Sequence, residues 1–194
     1  MRIVFMGTPD FSLGVLESII ATRHTVEAVV TQPDKKKGRG NQVQFTPVKE
    51  AALKHGITVY QPVKVRDEEF VKILKDINPE VMVVVAFGQI VSKEILDIPK
   101  YGCINIHASL LPKYRGSAPI QWAIINGDDK TGVTTMQMNE GIDTGDILEV
   151  SEIKIDRKET GGSLFDKLSE VGAKLIVQTL KNVEKGAITP IKQN

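Results

Sequence analysis

A chain of 194 residues, 41% hydrophobic and 25% charged, has the composition of an ordinary globular protein and the length of one α/β domain. Its net charge of +1 excludes a global electrostatic pull toward nucleic acid or membrane, leaving only local patches. Cys103 is the only cysteine, so an intrachain disulfide and a cysteine-based metal cluster are both excluded. No stretch reaches the ~20 apolar residues of a membrane span, and Arg2–Phe5 reads as a strand rather than an export signal. A cytoplasmic protein with no membrane partner is expected.

Arg2 to Met6 is a short apolar strand ending at Gly7. Beyond it, Phe11, Val15, Leu16, Ile19 and Ile20 recur at helical spacing, with Thr8 or Asp10 as the expected cap. Strand, glycine turn and helix open a Rossmann-type fold. The dinucleotide fingerprint G-x-G-x-x-G is missing, however, so a nicotinamide nucleotide is not expected. Thr25–Thr31 is a second strand. The polar segment from Gln32 to Phe45 holds Lys35, Lys36, Lys37 and Arg39 between Pro33 and the glycines Gly38 and Gly40. With no apolar periodicity it predicts an exposed mobile loop, either a solvated surface or a contact for phosphates.

Thr46-Pro47 opens a helix with Val48, Ala51, Ala52 and Leu53 predicted on its buried face. Ile57–Tyr60 is a brief strand, and Asp67 is expected to cap a helix striped by Phe70, Val71, Leu74 and Ile77. Val81–Ala86 is apolar on both faces, the pattern of a central parallel strand covered by helices. It ends in Phe87-Gly88-Gln89, at the carboxyl edge where open α/β sheets bind ligands. After a helix starting at Ser117 and Pro119, Thr131–Met138 and Ile147–Ile155 are strands joined by the acidic loop N-E-G-I-D-T-G-D, too short for a crossover helix, so they should pair antiparallel or diverge. A long amphipathic helix follows, capped near Thr160 or Ser163 and ending before Gly186. The expected fold is a single Rossmann-like α/β domain: a mostly parallel twisted sheet, helices on both faces, and an antiparallel strand near the C-terminal end.

The chemistry concentrates in Gly102–Trp122, which reads G-C-I-N-I-H-A-S-L-L-P-K-Y-R-G-S-A-P-I-Q-W. Side chains alternate along a strand, so Asn105 and His107 share a face, with Cα atoms about 6.6 Å apart. Such a pair suits one small reacting centre held between an amide donor and an imidazole. Neighbouring backbone at a sheet edge would satisfy the same groups. A metal site is not expected, because His24, His55 and His107 match no ligand spacing. No G-x-S-x-G elbow is present, and Cys103 lies ~13 Å from His107 along the strand, too far for a thiolate–imidazole pair. Asp143 and Asp146, flanking Gly145, are the carboxylates available to orient His107. The residues alone do not choose between them.

The run H-A-S-L-L-P-K-Y-R-G-S-A-P-I-Q-W, with the preceding I-N-I and the later G-I-D-T-G-D, resembles the folate-dependent formyltransferases. M-G-T-P-D-F at residues 6–11 and Q-P-D-K-K-K-G-R-G with F-T-P-V-K at residues 32–49 resemble the members acting on methionyl-tRNA. The resemblance covers the whole chain. It implies transfer of a formyl group from 10-formyltetrahydrofolate to the amine of initiator methionyl-tRNA, with no metal and no obligate protein partner. Asn105, His107 and Asp143 match the family's catalytic residues, and Ser109, Leu110, Leu111 and Pro112 its folate segment. The pterin is expected against Phe87, Gly88, Gln89 and Ile90 and the loop from Met138 through Asn139, Glu140, Gly141 and Ile142. Lys35, Lys36, Lys37 and Arg39 would meet tRNA. Residues 1–194 would form the catalytic domain, without the β-rich C-terminal domain of the family. The alternatives are a formyltransferase acting on an amino sugar or glycinamide ribonucleotide, a hydrolase of the same donor, or a non-enzymatic nucleic-acid-binding module.

Overall fold

In the computed structural model, which describes residues 1–194, the first strand, β1 (Arg2–Gly7), is fully buried from Ile3 to Met6 because it lies between two parallel neighbours. It is followed by α1 (Asp10–Ile20), β2 (Thr25–Val30), a ribbon of β3 (Lys35–Lys37) and β4 (Gln42–Gln44), and then α2 (Pro47–Lys54). Next come β5 (Thr58–Tyr60), α3 (Glu68–Ile77), β6 (Val81–Val85) and α4 (Lys93–Leu96). These elements make up the first of two units, Met1–Cys103; the second is Ile104–Asn194.

In the first unit the strands pair in parallel in the order β5-β2-β1-β6. The chain steps from β1 through β2 to β5, then returns past β1 to β6. Right-handed crossovers therefore put α1 and α2 on one face, where they pack together, and α3 on the other. Val81–Val85 is buried at every position, as its two-faced apolar run requires. Gly7 ends β1 where a Cβ would come within 2.8 Å of the Ser12 side chain, so only glycine lets α1 start so close to the strand.

The second unit contains β7 (Cys103–His107, whose first residue closes the first unit), α5 (Pro119–Ile125), β8 (Lys130–Gln137), β9 (Ile147–Lys154) and α6 (Gly161–Glu184). β8 runs antiparallel to both β7 and β9, and α6 packs on β8 and β9. The expected Rossmann-like α/β architecture is thus present, with a parallel sheet sandwiched by helices and antiparallel strands toward the C-terminal end. No helix is long and apolar enough to cross a membrane.

Local expectations held where a side chain meets the backbone directly. Thr46 accepts from Lys49 N and caps α2, and Thr160 with Ser163 forms a capping box on α6. Five expectations need correction. The N-cap of α1 is Pro9, with no side-chain bond from Thr8 or Asp10, because Thr8 Oγ1 donates instead to Phe87 O at 3.2 Å. Asp67 stands at the N-cap of α3 without making a cap bond, and α5 starts at Pro119 behind the left-handed N-cap Ala118, with Ser117 outside the helix. Leu53 is 52% exposed. Val48, Ala51 and Ala52 hold the buried face of α2, and the next residue turns 100° away from it. The segment expected as a mobile loop is an antiparallel ribbon whose tip turns through Gly38 and Asn41, both at positive φ.

Candidate active site

β7 presents Ile104 and Ile106 to the core, 0% and 4% exposed, which sends Asn105 and His107 to the opposite face. Antiparallel pairing sets Asn105 across from Met136 and His107 across from Thr134. His107 is 8% exposed, so its two ring nitrogens are defined by protein partners. Nε2 lies 2.8 Å from the carbonyl oxygen of Tyr114. A carbonyl only accepts, so Nε2 carries the hydrogen and donates it, and in the neutral ring Nδ1 is bare. Nδ1 faces Asp143 Oδ2 at 3.6 Å, beyond hydrogen-bond distance but within ion-pair reach once the ring is protonated.

Of the two candidate aspartates, the fold brings Asp143 to the imidazole. Its Oδ2 also accepts the backbone N–H of Gly116 at 2.8 Å. Asp146 enters the turn through its backbone, its carbonyl accepting from Gln137 N at 2.8 Å. Asp143 holds a left-handed φ of 53°, which an aspartate tolerates better than most residues.

Tyr114 anchors the loop that supplies the imidazole's acceptor. Its hydroxyl donates to Asp128 Oδ2 at 2.7 Å and accepts from Asn126 Nδ2 at 2.8 Å, while Lys113 Nζ reaches the same carboxylate at 2.9 Å. The Tyr114 hydroxyl first, and the Lys113 side chain after it, hold the Asp128 carboxyl below its ordinary value against the opposing effect of burial.

The residues expected to contact folate fall into three groups. Within 109–112, Ser109 is fully buried and donates to Lys113 O at 2.5 Å, and Leu111 is 6% exposed with its N–H on Thr134 Oγ1, so both shape the turn from inside. Leu110 is half-buried and Pro112 exposed. Within 138–142, Met138 is half-buried, Asn139, Glu140 and Gly141 are exposed, and Ile142 is 74% exposed. Asn139 Oδ1 accepts from both Gly141 N and Thr144 Oγ1, closing its own loop. In the first unit, Phe87 is 2% exposed and Ile90 79%. Gly88 has φ 86°, with Gln32 Nε2 2.8 Å from where a Cβ would stand. Gln89 is committed internally: its Oε1 accepts from Val65 N, and its Nε2 donates to Gln32 Oε1 and Pro62 O.

Lys35, Lys36, Lys37 and Arg39 are all exposed on the β3–β4 ribbon and its turn. His55 caps α2 and pairs with Glu17 at 3.0 Å, and His24 Nδ1 lies 2.8 Å from the N-terminal amine. No group of three or more His, Cys, Asp or Glu side chains is arranged to hold a metal ion. Burial pushes the Cys103 thiol up to about 12, so the thiolate needed for nucleophilic chemistry is suppressed.

Three contributors were not singled out by the sequence: the carbonyl of Tyr114, the N–H of Gly116, and Gln193, whose amide bonds the Asp143 loop. The first two are backbone groups of K-Y-R-G, inside the informative stretch. Gln193 carries no sequence signal.

A relative from Agathobacter rectalis, named methionyl-tRNA formyltransferase, is 62% identical over 194 residues, covering 100% of this chain and 63% of its own length. The chain thus spans less than two thirds of that relative. The crystal structure of phosphoribosylglycinamide formyltransferase from Bacillus halodurans superposes with a TM-score of 0.79 at 25% identity, over 96% of this chain and 97% of that one. The sugar 3N-formyl transferase WlaRD, crystallised in the presence of dTDP and 5-N-formyl-THF, shares the fold at 22% identity with a TM-score of 0.73, over 100% of this chain and 66% of its own. The formyl transferase family matches residues 1–180, and the chain belongs to it.

Proposed function

We propose that the protein transfers a formyl group from 10-formyltetrahydrofolate to the amino group of initiator methionyl-tRNA in the cytoplasm, residues 1–194 serving as the catalytic domain. The observation that carries the chemistry is the Asp143 carboxylate 3.6 Å from the one free ring nitrogen of a buried histidine. The choice of acceptor is supported by 62% identity to a methionyl-tRNA formyltransferase along the entire chain.

In the reaction the amine nitrogen bonds to the formyl carbon, the bond from that carbon to N10 of the folate breaks, one proton leaves the amine and one arrives at N10. Negative charge gathers on the formyl oxygen between these events. The Asn105 amide and a His107 protonated at Nδ1 are the groups to stabilise it, the kind of donor whose loss costs about 10²–10³ in rate. The Tyr114 carbonyl holds the Nε2 proton, so the exchangeable proton resides on Nδ1, facing Asp143. Asp143 faces that nitrogen and accepts the amine's proton through water. Folate contacts are assigned to residues 109–112, 138–142 and 87–90, and phosphate contacts of tRNA to Lys35, Lys36, Lys37 and Arg39.

The test is a formyl-transfer assay with 10-formyltetrahydrofolate and, in parallel, methionyl-tRNA, glycinamide ribonucleotide, a nucleotide-linked amino sugar, or no acceptor. Formylation of methionyl-tRNA well above the others is expected. Faster transfer to a small amine would reassign the substrate, and formate release without acceptor would make the protein a hydrolase.

A further inference from the structure

The loop that carries Asp143 is held from outside by residues 191–194. Ile191 and Ile147 exchange backbone hydrogen bonds of 2.7 and 2.9 Å, which fixes the register of this segment against the start of β9. Two residues on, the Gln193 amide nitrogen donates to Asp143 O at 2.9 Å and to Gly145 O at 2.7 Å, with Met136 Sδ on β8 a longer third acceptor at 3.6 Å. Its Oε1 accepts from Arg115 Nε at 3.0 Å, and Arg115 Nη2 reaches Asn194 O at 3.2 Å.

Arg115 is flanked by the two backbone groups that hold the candidate acid–base pair, the Tyr114 carbonyl on His107 and the Gly116 N–H on Asp143. The contacts close a circuit from imidazole to loop to carboxylate to that segment and back. The backbone of Asp143 is left-handed at φ 53°, a value an aspartate tolerates, so the clasp acts on where the turn sits rather than on its conformation. Gly145, on the other side of Thr144, leaves no slack: a Cβ there would stand 1.7 Å from Gln137 O, so the turn is pressed against the end of β8.

We propose that Gln193 is a positioning residue for Asp143: the segment Ile191–Asn194 clasps the Asp143–Gly145 turn and so sets the carboxylate's distance from His107. The inference rests on the reading of His107 and Asp143 as the acid–base pair. Losing the clasp leaves the carboxylate attached but no longer held at its distance. A displacement of about 1 Å at a reacting group costs up to roughly 10²-fold in rate.

The test is a double-mutant cycle in the formyl-transfer assay. Gln193→Leu keeps the side chain's bulk and removes both donors, and it is expected to lower kcat about tenfold with the KM for the folate within twofold. In an Asp143→Asn background the same change should cost nothing further, because there is no carboxylate left to place. Equal losses in both backgrounds would overturn the proposal and make Gln193 a purely structural contact. A second readout needs no turnover: with only three histidines in the chain, the ring ¹⁵N resonances of His107 are resolvable. Gln193→Leu and Asp143→Asn are both expected to move the Nδ1 signal. A wild-type Nδ1 signal in Gln193→Leu beside a moved one in Asp143→Asn refutes the clasp, even if the wild-type protein proves to transfer no formyl group and the functional reading itself fails. Should Gln193→Leu not fold, Arg115→Leu frees Gln193 Oε1 and Asn194 O while leaving both Gln193 donors in place, and should move the same resonance in the same direction; an unmoved signal refutes the clasp by that route.

Discussion

Tyr114→Phe removes one oxygen and tests the anchor of the loop that orients His107. The hydroxyl lies between a donor, Asn126 Nδ2 at 2.8 Å, and an acceptor, Asp128 Oδ2 at 2.7 Å, so its proton direction is determined: it donates to the carboxylate. The variant does not orphan Asp128, whose Oδ2 keeps Lys113 Nζ at 2.9 Å and whose side chain is 14% exposed to water. The loss is therefore that of a single charge-assisted bond with partial replacement by solvent, about 1–2 kcal/mol. In a chain of 194 residues this lowers Tm by roughly 2–8 °C.

The pH dependence carries a definite sign. The Asp128 carboxyl is depressed in the folded state, chiefly by this hydroxyl, so the stability it contributes is present above the unfolded carboxyl's ordinary value of 3.8 and is lost as pH falls through the lower folded value. Thermal melts of wild type and Tyr114→Phe should therefore show a constant gap from pH 7 to about 5, narrowing below about 4. Turnover should fall less than about tenfold, because the backbone carbonyl on His107 Nε2 remains. A gap that is absent at pH 7, or that widens on acidification, would refute this account of the anchor.

Asn105→Ala and His107→Ala should each lower kcat/KM by about 10²–10³ with circular dichroism unchanged; near-normal turnover in either would remove that residue from the oxyanion site. Gly145→Ala should destabilise by 3 kcal/mol or more, roughly 6 °C or beyond in a thermal melt, because the new methyl meets backbone, the Gln137 carbonyl, at 1.7 Å; a shift under about 2 °C would contradict the packing of that turn. Neutralising Lys35, Lys36, Lys37 and Arg39 together should raise the KM for tRNA and remove a log–log salt slope of about −3, since roughly 0.7 of a counterion is released per contact on a single strand. An unchanged slope makes the ribbon a solvated surface.

The parts of the fold that were legible in the sequence are those in which a side chain reports its own environment. The doubly apolar Val81–Val85 announced a covered parallel strand, and alternation along β7 put Asn105 and His107 together. The β3–β4 ribbon was not legible, because all six of its ladder residues are exposed and apolar alternation never develops. Leu53 misled because an eight-residue helix needs only three buried positions, and a leucine beside them reads as a fourth. At the site, the choice of Asp143 over Asp146 depends on which carboxylate the turn delivers, and residue spacing does not encode that. Gln193 contacts a turn 48–50 residues away through two carbonyls, and a carbonyl has no letter in the sequence.

The main chain, rather than the polar side chains, does most of the orienting here. His107 is held by one carbonyl and Asp143 by one N–H, and both come from the same short segment around Arg115. Reaching both partners forces that segment out of ordinary geometry: Tyr114 has φ 56° and Ala118 φ 57°, and Asp143 across the site has φ 53°. Asparagine at such a value, as at Asn41 and Asn78, is a routine turn or helix cap, but tyrosine and alanine carry a steric penalty of about 1–2 kcal/mol each. Each strained residue is held in place by a bond of its own, through the Tyr114 hydroxyl on Asp128, the Ala118 carbonyl on Trp122 N, and the Asp143 carbonyl on Gln193. Strain of this kind survives only where the surroundings over-determine it. In the second unit the non-glycine residues with a left-handed backbone, Tyr114, Ala118 and Asp143, all fall in the two loops that meet at the imidazole; in the first unit Ala86 shares that geometry at φ 47°.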